Sequence, residues 1–159
     1  MLIVLEVGGG FTGISTMFLL QQWNTSTYRY FWWVFSIYVV FLFLFGIVAG
    51  LALVERPQLG AALSAVYQAF QIPVVSSPLL TYEFYSGLQL GFGLAKGGLA
   101  FFVKYGARFA LQLSMSAAPW SIGVNALALA LFVYLLLQLL PKAKAVEPSS
   151  ISTNSSEIS

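Results

Sequence analysis

Apolar residues along this chain come in long uninterrupted runs. Tyr30 to Val54, "YFWWVFSIYVVFLFLFGIVAGLALV", carries no charge and opens on Trp32 and Trp33, where an interfacial aromatic belt belongs. Trp120 to Leu140, "WSIGVNALALALFVYLLLQLL", is also uncharged and lies between Pro119 and Pro141. Each has the roughly 20 residues that carry a helix across about 30 Å of hydrocarbon. The pattern predicts spanning helices over 30–54 and 119–140. A third run, Leu2 to Trp23, contains Glu6 and four glycines; without a basic leader or an A-x-A-like site it reads as an uncleaved helix over 4–23, spanning or half-spanning. A fourth, uncharged and rich in small residues, begins at Pro57 and is expected to be a helix over 57–75, antiparallel to its predecessor.

The stretch 81–116 has a different period. Even positions from 82 to 94 are Tyr, Phe, Ser, Leu, Leu, Phe and Leu, whereas odd positions from 83 to 95 are Glu, Tyr, Gly, Gln, Gly, Gly and Ala. Beyond Lys96-Gly97-Gly98 the alternation resumes, with apolar residues at odd positions from Val103 to Met115. Period two on both sides of a glycine turn predicts a β-hairpin, with a spanning helix as the alternative. The expected fold class is therefore a membrane all-α bundle of about four transmembrane helices with a β-hairpin inserted between the last two. The Ser-rich segment 141–159 is expected to be a disordered tail.

Composition strengthens the membrane reading. Of 159 residues, 59% are hydrophobic and 8% charged, against about 25% charged in soluble domains. Seven basic and five acidic residues are too few to hydrate a compact particle, so lipid is the expected solvent of the outer surface. The chain has no His, Cys or Asp. That leaves no zinc- or iron-type ligand set and no Ser–His or Cys–His pair. No catalytic, cofactor-binding or metal-binding residue is expected, and the spread of basic residues carries no nucleic-acid footprint.

One motif argues the other way. Gly8, Gly10 and Gly13 satisfy G-x-G-x-x-G after an apolar run, and over about fifteen residues this resembles the start of flavin-dependent oxidoreductases. The resemblance implies a dinucleotide held at a strand–turn–helix unit, with an acidic residue about 20 positions on to bind the ribose. Here the next acid after Glu6 is Glu55. Small residues that admit a neighbouring helix account for the glycines without a cofactor.

The remaining candidates are sites of packing and of polarity. Gly46, Gly50, Gly60 and Ala65 are candidate helix-packing positions. Lys96, Lys104 and Arg108 are candidate contacts for lipid headgroups. Glu6 and Asn125 are candidate intramembrane polar groups, Glu6 having the alternative of a position at the headgroups. Counting basic residues near helix ends puts both termini on the cytoplasmic side and the hairpin outside. The expected function is a non-catalytic accessory or scaffold subunit. Its partners are the lipid bilayer and either another membrane protein or a copy of itself. The alternative is a small transporter or channel component using Glu6 or Asn125.

Overall fold

The computed structural model describes residues 1–21, 29–113 and 119–140. Its order is α1 (Leu2–Gln21), α2 (Arg29–Glu55), α3 (Pro57–Gln71), β1 (Pro73–Ser76), β2 (Leu80–Ala95), β3 (Gly98–Leu113), β4 (Ser121–Asn125) and α4 (Ala126–Leu139). The expected all-α membrane bundle is thus corrected. Among the described residues, four helices accompany a curled four-stranded antiparallel sheet, in the order β1-β4-β2-β3 with β1 also paired to β2.

Local chemistry explains where helix gives way to strand. Pro57 starts α3 at its first turn, and Pro73 cannot continue it. Val74 and Val75 then extend as β1, joined to β2 by a tight turn. In that turn the Ser77 backbone N–H donates to the Leu80 carbonyl, while the Leu79 and Leu80 N–H groups donate to Ser77 Oγ. Towards the C-terminus, Asn125 is the N-cap of α4, its side-chain oxygen accepting from the Ala128 N–H at 3.3 Å. The apolar run from Trp120 is therefore cut at Asn125, and its first part, with Ile122 and Val124, is a strand.

These cuts overturn the multi-pass reading. Helices α3 and α4 have 15 and 14 residues, reaching about 20 Å, short of the roughly 30 Å of a bilayer core. Among the described residues one helix, Val34–Glu55, is long and apolar enough to cross a membrane. Multi-pass integral membrane localisation is not supported, and the side assigned to the termini, which needed four crossings, falls with it. The expected tail, 141–159, and the expected ends of the first helix and of the hairpin at 22–23 and 114–116, lie outside the described residues.

The β2–β3 register runs from Leu80↔Leu113 to Ala95↔Gly98 around Lys96-Gly97. Directly paired residues share a face. One face carries Tyr82, Phe84, Leu90 and Phe92 with Leu111, Phe109, Val103 and Phe101; the other carries Glu83, Tyr85 and Gln89 with Ala110, Arg108 and Lys104. The half of the apolar face near the helices is the core: Phe84 packs with Val39, Leu42 and Phe43 of α2 and Tyr67 of α3. A second cluster joins Ala61 and Ala65 of α3 to Leu135 of α4.

Beyond Gly91 the sheet curls towards its polar face, because β4 folds over it. A Cβ at Gly91 would lie 2.5 Å from the Val124 carbonyl oxygen, and one at Gly93 would lie 2.5 Å from that of Ile122. Only glycine permits this approach. β1 closes the curl, pairing with β4 over Pro73–Ser76 and with β2 over Val74–Ser76. The far half of the apolar face has no such cover: Phe101, Val103 and Tyr105 are 77%, 73% and 88% exposed.

Candidate functional site: a buried polar seam

Several buried polar side chains gather between the helices and the sheet. Glu6 of α1 is 1% exposed. Ser64 Oγ donates to its Oε2 at 2.8 Å and Gln68 Nε2 to its Oε1 at 3.1 Å. Ser64 and Gln68 stand four apart on α3, one above the other, so a single carboxyl reaches both. Glycines of α2 leave room for both α1 and α3. A Cβ at Gly50 would lie 3.2 Å from Glu6 Cβ, and one at Gly46 would lie 2.3 Å from the Tyr67 ring.

Among the described residues no cation is ion-paired to this carboxyl; the ion pairs there belong to Glu83. Burial raises the Glu6 pKa above its ordinary value, and the bonds from Ser64 and Gln68 only partly oppose the shift. Tyr67 is raised too, again by burial first, with Ser86 opposing and the Glu6 charge adding. At the rim of the seam, burial pushes Tyr82 up to about 12, and its hydroxyl donates to the Phe70 carbonyl at 2.6 Å.

From Tyr67 the seam continues onto the sheet. The Gln71 side-chain oxygen accepts the Ser86 backbone N–H at 3.0 Å. That bond satisfies β2 in the interval between its pairing with β1, which ends at Glu83, and its pairing with β4, which begins at Gly91. Gly9 brings α1 onto this point, where a Cβ would lie 2.2 Å from Ser86 Oγ. Gln89 is fully buried, and neither of its amide atoms has a hydrogen-bond partner among the described residues. Gln71 Nε2 and Asn125 Nδ2 are in the same position. The hydroxyls of Tyr67 and Ser86 face each other without reaching hydrogen-bonding geometry.

A separate cluster lies on the polar face of the hairpin. Glu83 is buried and ion-paired to Lys104, with Arg108 Nε at 3.7 Å from its second oxygen. The Lys104 ammonium also stands 6.0 Å from the Tyr85 ring centre and 5.5 Å from that of Phe102.

The residues singled out from sequence are thus dispersed. Gly46 and Gly50 face Tyr67 and Glu6, Gly60 meets the α2 backbone, and Ala65 packs towards α4. Lys104 and Arg108 converge on Glu83, whereas Lys96 stands apart in the exposed hairpin turn. Glu6 joins α1 to α3, and Asn125 caps α4. Gly8, Gly10 and Gly13 all lie within α1, so no strand–turn–helix unit exists there to hold a dinucleotide. Sequence reasoning missed Ser64, Gln68, Gln71, Ser86 and Gln89. The available signal was on α3, where Ser64, Gln68 and Gln71 share one helix face with Gly60.

Chemically, the Ser64 hydroxyl beside the Glu6 carboxyl has the form of a nucleophile with its base. Ser64 is wholly buried, and its bond to Glu6 joins α3 to α1. No protein-family model, curated protein or solved structure significantly matches the chain.

Proposed function

We propose that this protein is a non-catalytic scaffold subunit of a membrane-associated assembly, its outer apolar surface covered by lipid and by another apolar protein surface. The observation that carries this reading is an exchange of places. Glu6, Ser64, Gln68, Gln71, Ser86 and Gln89 are inside, while many large apolar side chains of α2 and of the hairpin tip are outside. On α2 the inward residues Val39, Leu42, Phe43 and Ala49 have an equally apolar counterpart in the exposed Phe41, Leu44, Val48 and Leu51. A helix apolar all round is one that is covered all round. Exposed apolar area on this scale marks an interaction surface.

The uses found for Glu6 and Asn125, a clasp and a helix cap, favour scaffolding over transport. The test is purification in mild detergent, parent beside Phe101→Lys/Val103→Lys. Both side chains are exposed, so the double variant should melt like the parent. It is expected to lose most of a stoichiometric partner that the parent retains. Equal retention by the two proteins counts against the reading. So does ion flux in reconstituted vesicles that disappears in Glu6→Gln.

A further inference from the structure

We propose that the free edge of β3 is an interface between two copies of this chain, paired antiparallel about Tyr105. The inference rests on the scaffold reading above and names the partner at one surface of it.

β3 is the last strand of the sheet and pairs with β2 alone among the described residues. Its sixteen residues include no proline. The two cations along it, Lys104 and Arg108, are drawn onto Glu83 rather than set to guard the edge. A long edge without such protection is a template for another strand.

The geometry narrows what can pair there. The two-residue turn makes Ala95:Gly98 the closing hydrogen-bonded pair, so even residues of β3 bond to β2 and odd ones point their N–H and C=O outwards. An incoming strand must offer outward groups of the same parity while keeping apolar and polar faces aligned, since a one-residue slip exchanges the faces. A second β3 meets both demands.

Charge and the length of strand that pairs then select the register. Centring on Lys104 sets two Lys104 side chains against each other, and centring on Gly106 sets Lys104 against Arg108; like charges directly opposite are destabilising. Centring on Tyr105 places Lys104 opposite Gly106 and Arg108 opposite the Phe102 ring, and pairs the whole of 98–112. It also lays the exposed Phe101 of one copy beside Phe109 of the other, which already packs on Tyr38 and Phe84. A two-fold axis through the Tyr105 pair gives a closed, isologous dimer.

The chain has no cysteine, so single thiols are unambiguous reporters. Full-length protein carrying Tyr105→Cys, oxidised in detergent, is expected to form disulfide dimers, because a hydrogen-bonded antiparallel pair has Cα atoms about 5.5 Å apart, within disulfide reach. Val103→Cys alone, displaced by about 13 Å along the strand from its copy, is expected to cross-link on the order of tenfold less. Val103→Cys mixed with Ala107→Cys should restore the product. Val103→Pro removes an outward N–H, leaves the bonds to β2 in place, and should halve the sedimenting protein mass. Equal cross-linking of Tyr105→Cys and Val103→Cys overturns the proposal, as does a monomeric parent. A monomeric parent that still copurifies with another protein overturns self-pairing alone and leaves the scaffold reading standing.

Discussion

Alanine at position 60 is expected to lower the melting temperature of this protein more than any other single methyl group added at a helical glycine. The added Cβ would sit 2.3 Å from the Leu53 nitrogen and 2.5 Å from the Ala52 carbonyl carbon. These are backbone atoms of α2, so no rotamer change relieves the contact. A one-residue connection, Arg56, joins α2 to α3, and the helices cannot separate without unwinding it. The cost should reach or exceed the roughly 1–3 kcal/mol typical of overpacking. Gly8→Ala is the control. Nothing lies within 4 Å of its Cβ, so it should gain about 0.5–1 kcal/mol from helix propensity. Thermal unfolding followed by circular dichroism reads both. Shifts of the same sign at the two positions contradict the close approach of α2 and α3.

Removing the Glu6 side chain comes next in size. Glu6→Ala deletes a buried side chain and strands the Ser64 and Gln68 donors, a combined loss of about 2–5 kcal/mol. Glu6→Gln keeps the shape and one carbonyl acceptor, and should cost far less. The pH profile separates the variants further. Because the folded pKa of Glu6 lies above 4.5, the folded state holds the proton more tightly than the unfolded chain. Its contribution is therefore most favourable in acid. Stability falls as pH rises from about 4.5 through the folded value, then levels off. Glu6→Gln should lack that decline. A parent whose melting temperature rises over the same interval shows instead a carboxylate stabilised in its ionised form.

These predictions concern helix contacts that sequence indicated only in part. The parity of positions 82–94 picks out a two-faced strand, because period two reports directly on which side chains share a face. Glycines 46, 50 and 60 stand out as places of close approach, but not what approaches them: a tyrosine ring, a carboxyl and a backbone. The short strands were beyond reach. Pro73–Ser76 and Ser121–Asn125 have four and five residues, and both are strands because each pairs with the other and with β2. Asn125 was visible as a residue but not as a cap, since an apolar run on both sides conceals a helix start. Hydropathy also carries no sign for inside and outside. The same composition serves a lipid-facing bundle and a sheet with a polar interior, which is why four crossings were expected where one helix among the described residues is long enough.

The placement of β4 has a consequence for biosynthesis. The strand that fills the interval between β1 and the far end of β2 is made after both of them, with 44 residues between it and β1 and 25 between it and β2. A growing chain that has released β1 through β3 still shows the ribosome-side environment a second bare ladder, along Gly91–Ala95, until residue 125 emerges. Non-local closure of this kind is slow, and half-made sheets are prone to join their neighbours. Chains halted before Ser121 should therefore aggregate during translation, and slower elongation through the hairpin codons should worsen the yield.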